Sequence, residues 1–318
     1  AEVAGLDSRI GDGGFADEGI DFGGGEGGFE VGEEGLAEEG EGADGDGEGV
    51  DAGPAEEVVR EIRAAGGEAV ACIESVATPE GGEAIIRAAL DHYGRIDILI
   101  HNAGNVRYGS MKEISYEDFR AVVDVHLMGA FHVVRPAFPL MCAAGYGRIV
   151  LTSSIGGLYG NSNCVNYGVS KAGMIGLNNV VALEGEAEGV KCNIIAPAAV
   201  TRMADGLDVS AYPPMGPELV APVVGWLAHE SCSVTGEILV SAAGRVARAY
   251  VAETPGVYQP AWTLEQVGER IGAVHDRKEV LDFGLHATRR RRDPEAPPEA
   301  GHGPGRLCTR GSRHALSP

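Results

Sequence analysis

Tyr167 and Lys171 stand four residues apart in the segment NYGVSKAGMIGL, and Ser154 precedes the tyrosine by thirteen residues at the end of the apolar run GRIVLTSS. On a helix, positions i and i+4 share a face, so an ammonium group can lie beside a phenol and favour its ionised form. A phenol that titrates at about 10 when unperturbed then becomes a usable acid or base near neutrality. A serine hydroxyl at a strand end can point into the same crevice and hydrogen-bond an oxygen that is being reduced or oxidised. Together the three groups suit hydride-transfer chemistry, in which a cofactor carries the hydride and the protein handles the proton.

The elements that would hold these groups follow from the apolar pattern. PAEEVVREIRAAGG predicts an amphipathic helix ended by glycine, EAVACI a strand, PEGGEAIIRAALDHYG a second helix and DILIHNAG a buried parallel strand. The segment from Tyr116 to Ala144 predicts one long helix, followed by the strand GRIVLTSS, the helix bearing Tyr167 and Lys171, the strand KCNIIAP and a last strand near EILVSAAG. Strands and helices alternating at this spacing predict an α/β fold, a doubly wound parallel sheet of Rossmann type. Ligands of such sheets bind beyond the carboxyl ends of the strands, where His101 to Gly104, Ser154 and Pro197 fall.

Composition excludes several alternatives. The net charge of −22 is not spread over the chain: residues 1–50 hold 16 acidic residues against 1 basic and carry −15 of it, which leaves −7 for the rest. A nucleic-acid partner is disfavoured, and the short run Arg289 to Arg292 does not change that. The six cysteines, Cys72, Cys142, Cys164, Cys192, Cys232 and Cys308, lack metal-ligand or disulfide-framework spacing, so no metal site is expected and buried thiols in a reducing cytoplasm are. The N-terminus lacks a basic start followed by an apolar stretch, and the uncharged run from Ile149 to Ser170 is too rich in Gly, Ser and Asn for a membrane span.

With HNAG, the strand-end serine and YGVSK, the chain resembles the short-chain dehydrogenase/reductase family from about Pro54 to Glu279. Within it, VDVHLMGAFHVVRPAF, GRIVLTSSIGGLYGN, VALEGEAEGVKCNIIAPAAVTRM and VAPVVGWLAHES are most similar to the 3-hydroxyacyl-CoA dehydrogenase unit of peroxisomal multifunctional enzymes and its bacterial single-domain relatives. The resemblance implies Tyr167 as acid/base, Lys171 as the residue that lowers its pKa and binds the cofactor ribose, and Ser154, rather than the adjacent Ser153, as the hydroxyl that orients substrate. His126 stands where the family usually has a catalytic asparagine. For the cofactor, NAD(H) with NADP(H) as the alternative, it implies Glu74, Ser75 and Val76 against the adenine, and Asn102, Ala103 and Gly104 as the crevice floor. Pro197, Val200 and Thr201 fall beside the nicotinamide. It further implies a homo-oligomer and an acyl-CoA or lipid-like substrate. Residues from Arg202 to Pro217 fall in the variable substrate loop. A 3-oxoacyl-carrier-protein reductase and a scaffold without turnover are the alternative readings.

The ends depart from the family. Residues 1–50 contain 17 glycines and blocks such as GEEGLAEEGEGADGDGEG, a composition that predicts disorder. No apolar strand followed by Thr-Gly-x-x-x-Gly-x-Gly is present there, and Gly23, Gly25 and Gly28 match G-x-G-x-x-G without a preceding strand. The length suits the family's first two strands and first helix while the sequence does not, the pattern a change of reading frame or a misplaced start would produce; weak NAD(H) binding and a partly unpaired sheet flank are expected. The catalytic domain is expected over 51–277, and the Arg- and Pro-rich residues 278–318 as a disordered tail.

Overall fold

The centre of the sheet is built by short strands whose residues are buried without exception: Ile98–His101 (β4) and Gly147–Thr152 (β5). Continuous burial is the signature of a parallel strand covered on both faces. In the computed structural model, which describes residues 3–4, 28–31, 53–200, 215–278 and 281–282, they lie at the middle of an eight-stranded sheet. The other strands are Val3–Ala4 (β1), Gly28–Val31 (β2), Ala71–Cys72 (β3), Val190–Ala198 (β6), Ile238–Ala242 (β7) and Arg245–Ala249 (β8). The order is β3-β2-β1-β4-β5-β6-β7-β8, parallel throughout except for the antiparallel β7–β8 pair. The order reverses between β1 and β4, the switch point at which doubly wound sheets bind ligands.

Helices cover the sheet as the alternation along each strand requires. Ile98, Ile100, Val150 and Ile195 pack with Leu227 and Ala228 of Ala221–Ala228 (α7). Their neighbours Leu99, Ile149, Leu151 and Ile194 are equally buried and point to the other face. Gly129–Ala144 (α4) runs along β4 and β5, and Val165–Gly185 (α6) along β5 and β6. Pro79–Tyr93 (α2) is started by Thr78, whose hydroxyl accepts from the Gly81 amide at 3.1 Å, and closed by Gly94 at φ 74°. Gly53–Ala64 (α1) precedes β3.

Several elements differ from the sequence reading. The segment read as one helix over Tyr116 to Ala144 is Tyr116–Val123 (α3), a π turn at Asp124–Met128 and α4. This stretch is long and apolar enough to cross a membrane, but α4 buries Ala130, Val133, Val134, Ala137 and Met141 as a core helix does. Residues 1–50, read as disordered, supply β1 and β2, so β3 has a partner and the expected unpaired flank is occupied there. Gly28 opens β2 instead of following β1; Gly23 and Gly25 lie outside the described residues. β8 was not anticipated, because RVARA alternates charge and exposure as an edge strand does.

The chain divides into one unit over 1–250 and another over 251–318. The second contains Ala252–Glu253 (β9) paired antiparallel with Leu281–Asp282 (β10), and Leu264–Val274 (α8). Thr263 and Gln266 form a reciprocal capping box at the start of α8. Part of the tail read as disordered thus pairs as β10; the rest, from residue 283, lies outside the described residues.

Candidate active site

Ser153 and Ser154 differ in what each hydroxyl touches. β5 ends at Thr152, and Ser153 turns inward, its Oγ donating to the Lys171 carbonyl at 2.7 Å. Ser154 starts the short helix Ile155–Tyr159 (α5), where its Oγ accepts from the Gly156 amide at 3.1 Å. That bond leaves the Ser154 proton free, and Ser154 is the serine that hydrogen-bonds the Tyr167 side chain. α5 sits tightly on α6: a Cβ at Gly157 would lie 2.6 Å from the Lys171 Cβ, so only glycine permits the approach that brings Ser154 to Tyr167.

α6 carries Tyr167 and Lys171 on one face, one turn apart. Lys171 is buried, donates from Nζ to the Thr152 carbonyl at 2.8 Å and lies 5.6 Å from the Tyr167 ring centroid. The Tyr167 phenol is held above its ordinary range by burial, with the Ser154 hydrogen bond pulling the other way and Cys164 and Tyr108 adding to the rise. The Lys171 ammonium is held on the Thr152 carbonyl beside the ring, and Ser154 favours ionisation of the phenol.

His126, expected among the catalytic residues, lies beside Tyr167. It sits on the π turn with its ring edge-on to Tyr167, centroids 5.4 Å apart at 82°. Nε2 faces both the Asn105 amide at 3.0 Å and the Asn105 carbonyl at 2.7 Å, so in either tautomer it holds the loop after β4. Burial and the nearby Lys171 keep the ring neutral. His126 thereby joins the π turn to that loop. A Cβ at Gly104 would meet the imidazole Cε1 at 2.4 Å. Gly104→Ala is accordingly expected to lower stability by about 1–3 kcal/mol through overpacking and to displace the Tyr167 ring; thermal unfolding and turnover measured together check this.

The sequence reading missed His101 as a site residue, although a titratable side chain closing the apolar strand ILIH was the available signal. Its Nε2 donates to the His126 carbonyl at 2.9 Å, and burial, then Lys171, push its pKa down to about 3. A histidine near 6.5 when unfolded and far lower when folded contributes stability that is present above the unfolded value and lost as pH falls toward the folded one. For His101 alone the loss by about pH 5 is about 2 kcal/mol. Thermal melts at about pH 7 and 5 should show the drop, and His101→Asn, which keeps a donor for the His126 carbonyl, should flatten it.

The residues expected at the cofactor lie along the carboxyl edge of the sheet. Asn102 is exposed just past β4, followed by Ala103 and Gly104. Pro197 lies within β6 and pairs with Ser241, and the Val200 amide donates to the Met215 carbonyl at 2.6 Å. Ser75 accepts from the Ala77 amide at 3.2 Å, and His132 of α4 donates to the Val76 carbonyl at 3.0 Å, which holds the Glu74–Ser75–Val76 loop against α4. Thr201 and the substrate loop to residue 214 lie outside the described residues. Among the described residues no cluster of His, Cys, Asp and Glu could hold a metal. Small floor residues, an exposed amide at a strand end and the switch point beside β4 fit the nicotinamide and adenine ends of a dinucleotide.

A model of the short chain dehydrogenase family matches residues 48–208, and the chain belongs to that family of NAD(P)(H)-binding oxidoreductases. It is 42% identical over 240 residues to peroxisomal multifunctional enzyme type 2 of Drosophila melanogaster, a match that takes in 73% of this chain and 40% of that protein. The chain thus spans less than half the length of that relative. It is 35% identical over 193 residues to a 3-oxoacyl-[acyl-carrier-protein] reductase of Synechocystis, covering 58% of this chain and 78% of that one. Among solved structures, a short chain dehydrogenase of Mycobacterium avium superposes with a TM-score of 0.66 at 36% identity, over 78% of this chain and 86% of the other.

Proposed function

We propose that the chain interconverts a secondary alcohol and a ketone on a 3-hydroxyacyl or 3-oxoacyl thioester, CoA being the carrier, with NAD(H) as cofactor. The observation that carries this reading is the Tyr167 phenol hydrogen-bonded by Ser154 at the carboxyl end of β5, with the Lys171 ammonium over its ring. The name of the Synechocystis relative, a 3-oxoacyl-[acyl-carrier-protein] reductase, supports an acyl thioester substrate.

Asn102 to Gly104, Glu74 to Val76, Lys171 and the Pro197 to Val200 segment would hold NAD(H), which would supply or accept the hydride. In the reductive direction the Tyr167 hydroxyl passes its proton to the substrate oxygen, and the Ser154 hydroxyl stabilises the negative charge that develops there. The Lys171 ammonium stabilises the phenolate this leaves. In the oxidative direction Tyr167 must first lose its proton, and burial opposes that loss, so oxidation gains rate as pH rises above neutrality.

The test is NADH oxidation with acetoacetyl-CoA, the corresponding acyl-carrier-protein thioester and a steroid ketone. Preferred turnover of the CoA ester supports the reading; turnover of the carrier-protein ester alone assigns the reductase alternative, and NAD(H) binding without turnover of any of the three assigns the scaffold. Exposed Met128, Phe131 and Leu140 of the π turn and α4, with Val169, Val180 and Leu183 of α6, support pairing of two copies through these helices, which light scattering of the purified protein checks. The described cysteines, Cys72, Cys142, Cys164, Cys192 and Cys232, are all free, which supports residence in a reducing compartment, the cytoplasm.

A further inference from the structure

We propose that Asn166 is the positioning residue that sets where Tyr167 stands, by tying the first turn of α6 to the loop after β4 and to α3; this rests on Tyr167 being the acid/base. α6 begins without an ordinary cap. Its N-cap residue is Cys164, at φ −146° and ψ 56°, and no side-chain hydrogen bond is made there. The first amides of a helix have no partner within it. For the Tyr167 amide the partner is Oδ1 of Asn166, at 2.8 Å.

The other end of the same side chain reaches two different elements. Nδ2 donates to the Arg107 carbonyl at 2.9 Å and to the Asp118 carbonyl at 3.2 Å. Asn166 is 0% exposed, so these bonds face no competition from water. A flipped amide would set N–H groups against the Tyr167 N–H and an oxygen against two carbonyls, so the partners determine its orientation. The join is reinforced around it: Arg107 and Asp118 form an ion pair at 3.1 Å, and the Gly109 amide donates to the Asn163 carbonyl at 2.8 Å. The loop gripped in this way also carries Tyr108, whose phenol acts electrostatically on Tyr167. Lys171, one turn further on, has its own anchor in the Thr152 carbonyl and does not depend on Asn166.

The test uses the full chain with acetoacetyl-CoA and NADH, comparing Asn166→Ala, Asn166→Asp and Tyr167→Phe with wild type. Aspartate keeps an oxygen for the Tyr167 amide and suits a helix start, but has no N–H for the two carbonyls, so it separates capping from the tie and serves where alanine fails to fold. A displacement of the order of 1 Å costs about 10²-fold in rate. Both Asn166 variants are expected to lose kcat by at least about tenfold, to keep KM for NADH within about twofold, and to displace the rising limb of the oxidation pH profile. A folded Asn166→Asp protein with kcat within about twofold of wild type and an unmoved limb would falsify the proposal and leave Asn166 a structural residue. Tyr167→Phe separates the two failures: if it turns over like wild type, the acid/base reading falls and this inference with it, whereas an inactive Tyr167→Phe beside an unimpaired Asn166→Asp overturns this inference alone.

Discussion

Tyr167→Phe is expected to lower turnover of a 3-hydroxyacyl thioester by about 10²–10⁴-fold, the contribution positioned acid–base groups commonly make. The substitution removes one oxygen and little else. The edge-on contact with the His126 ring, at 5.4 Å between centroids, is available to phenylalanine, and so is the packing against Gly156. Ser154 loses its partner on Tyr167 but keeps its bond from the Gly156 amide, so α5 retains its start. Thermal unfolding and NADH binding should therefore match wild type while kcat collapses. A variant that keeps more than about a tenth of wild-type kcat removes Tyr167 from the mechanism.

Lys171→Met should act on chemistry and on cofactor binding together. Methionine preserves most of the length and suits a buried position, but it leaves the Thr152 carbonyl without its donor and removes the cation over the Tyr167 ring. The unpaired carbonyl costs about 1–3 kcal/mol of stability. The phenolate formed in the reaction loses its neighbouring charge, so the rising limb of the oxidation pH profile should move to higher pH and kcat should fall by about 10²-fold. NADH affinity, measured by fluorescence titration, should weaken by about tenfold, in line with loss of a hydrogen bond to a charged group. A change in only one of the two quantities would show that Lys171 has a single role. The same variant bears on the buried histidines. Lys171 contributes to holding both His101 and His126 neutral, so its removal should reduce the loss of stability between about pH 7 and 5.

What was legible in the sequence was local. Tyr167 and Lys171 share a helix face because four residues are close to one turn, and Ser154 follows a strand because GRIVLT is mostly apolar and buried on both sides. Both facts depend on the few residues around them, and the sequence alone determined the doubly wound class and the candidate reacting groups. The tertiary structure decided what each group touches. Whether Ser153 or Ser154 meets the phenol depends on Gly157 lying against Lys171, and His101, kept neutral by burial and Lys171, finds its hydrogen-bond partner on a π turn 25 residues away in sequence. The Lys171 Nζ is fixed by the Thr152 carbonyl, 19 residues back along the chain. Asn166 reads as one more polar residue before Tyr167 until Arg107, 59 residues earlier, is brought to its amide. β1 and β2 were missed because two- and four-residue strands carry too little periodicity to stand out, and it is pairing with β4 and β3 that identifies them. Spacing along a chain encodes which face a side chain takes; its hydrogen-bond partners, its burial and hence its pKa are set by residues that only the folded sheet brings near.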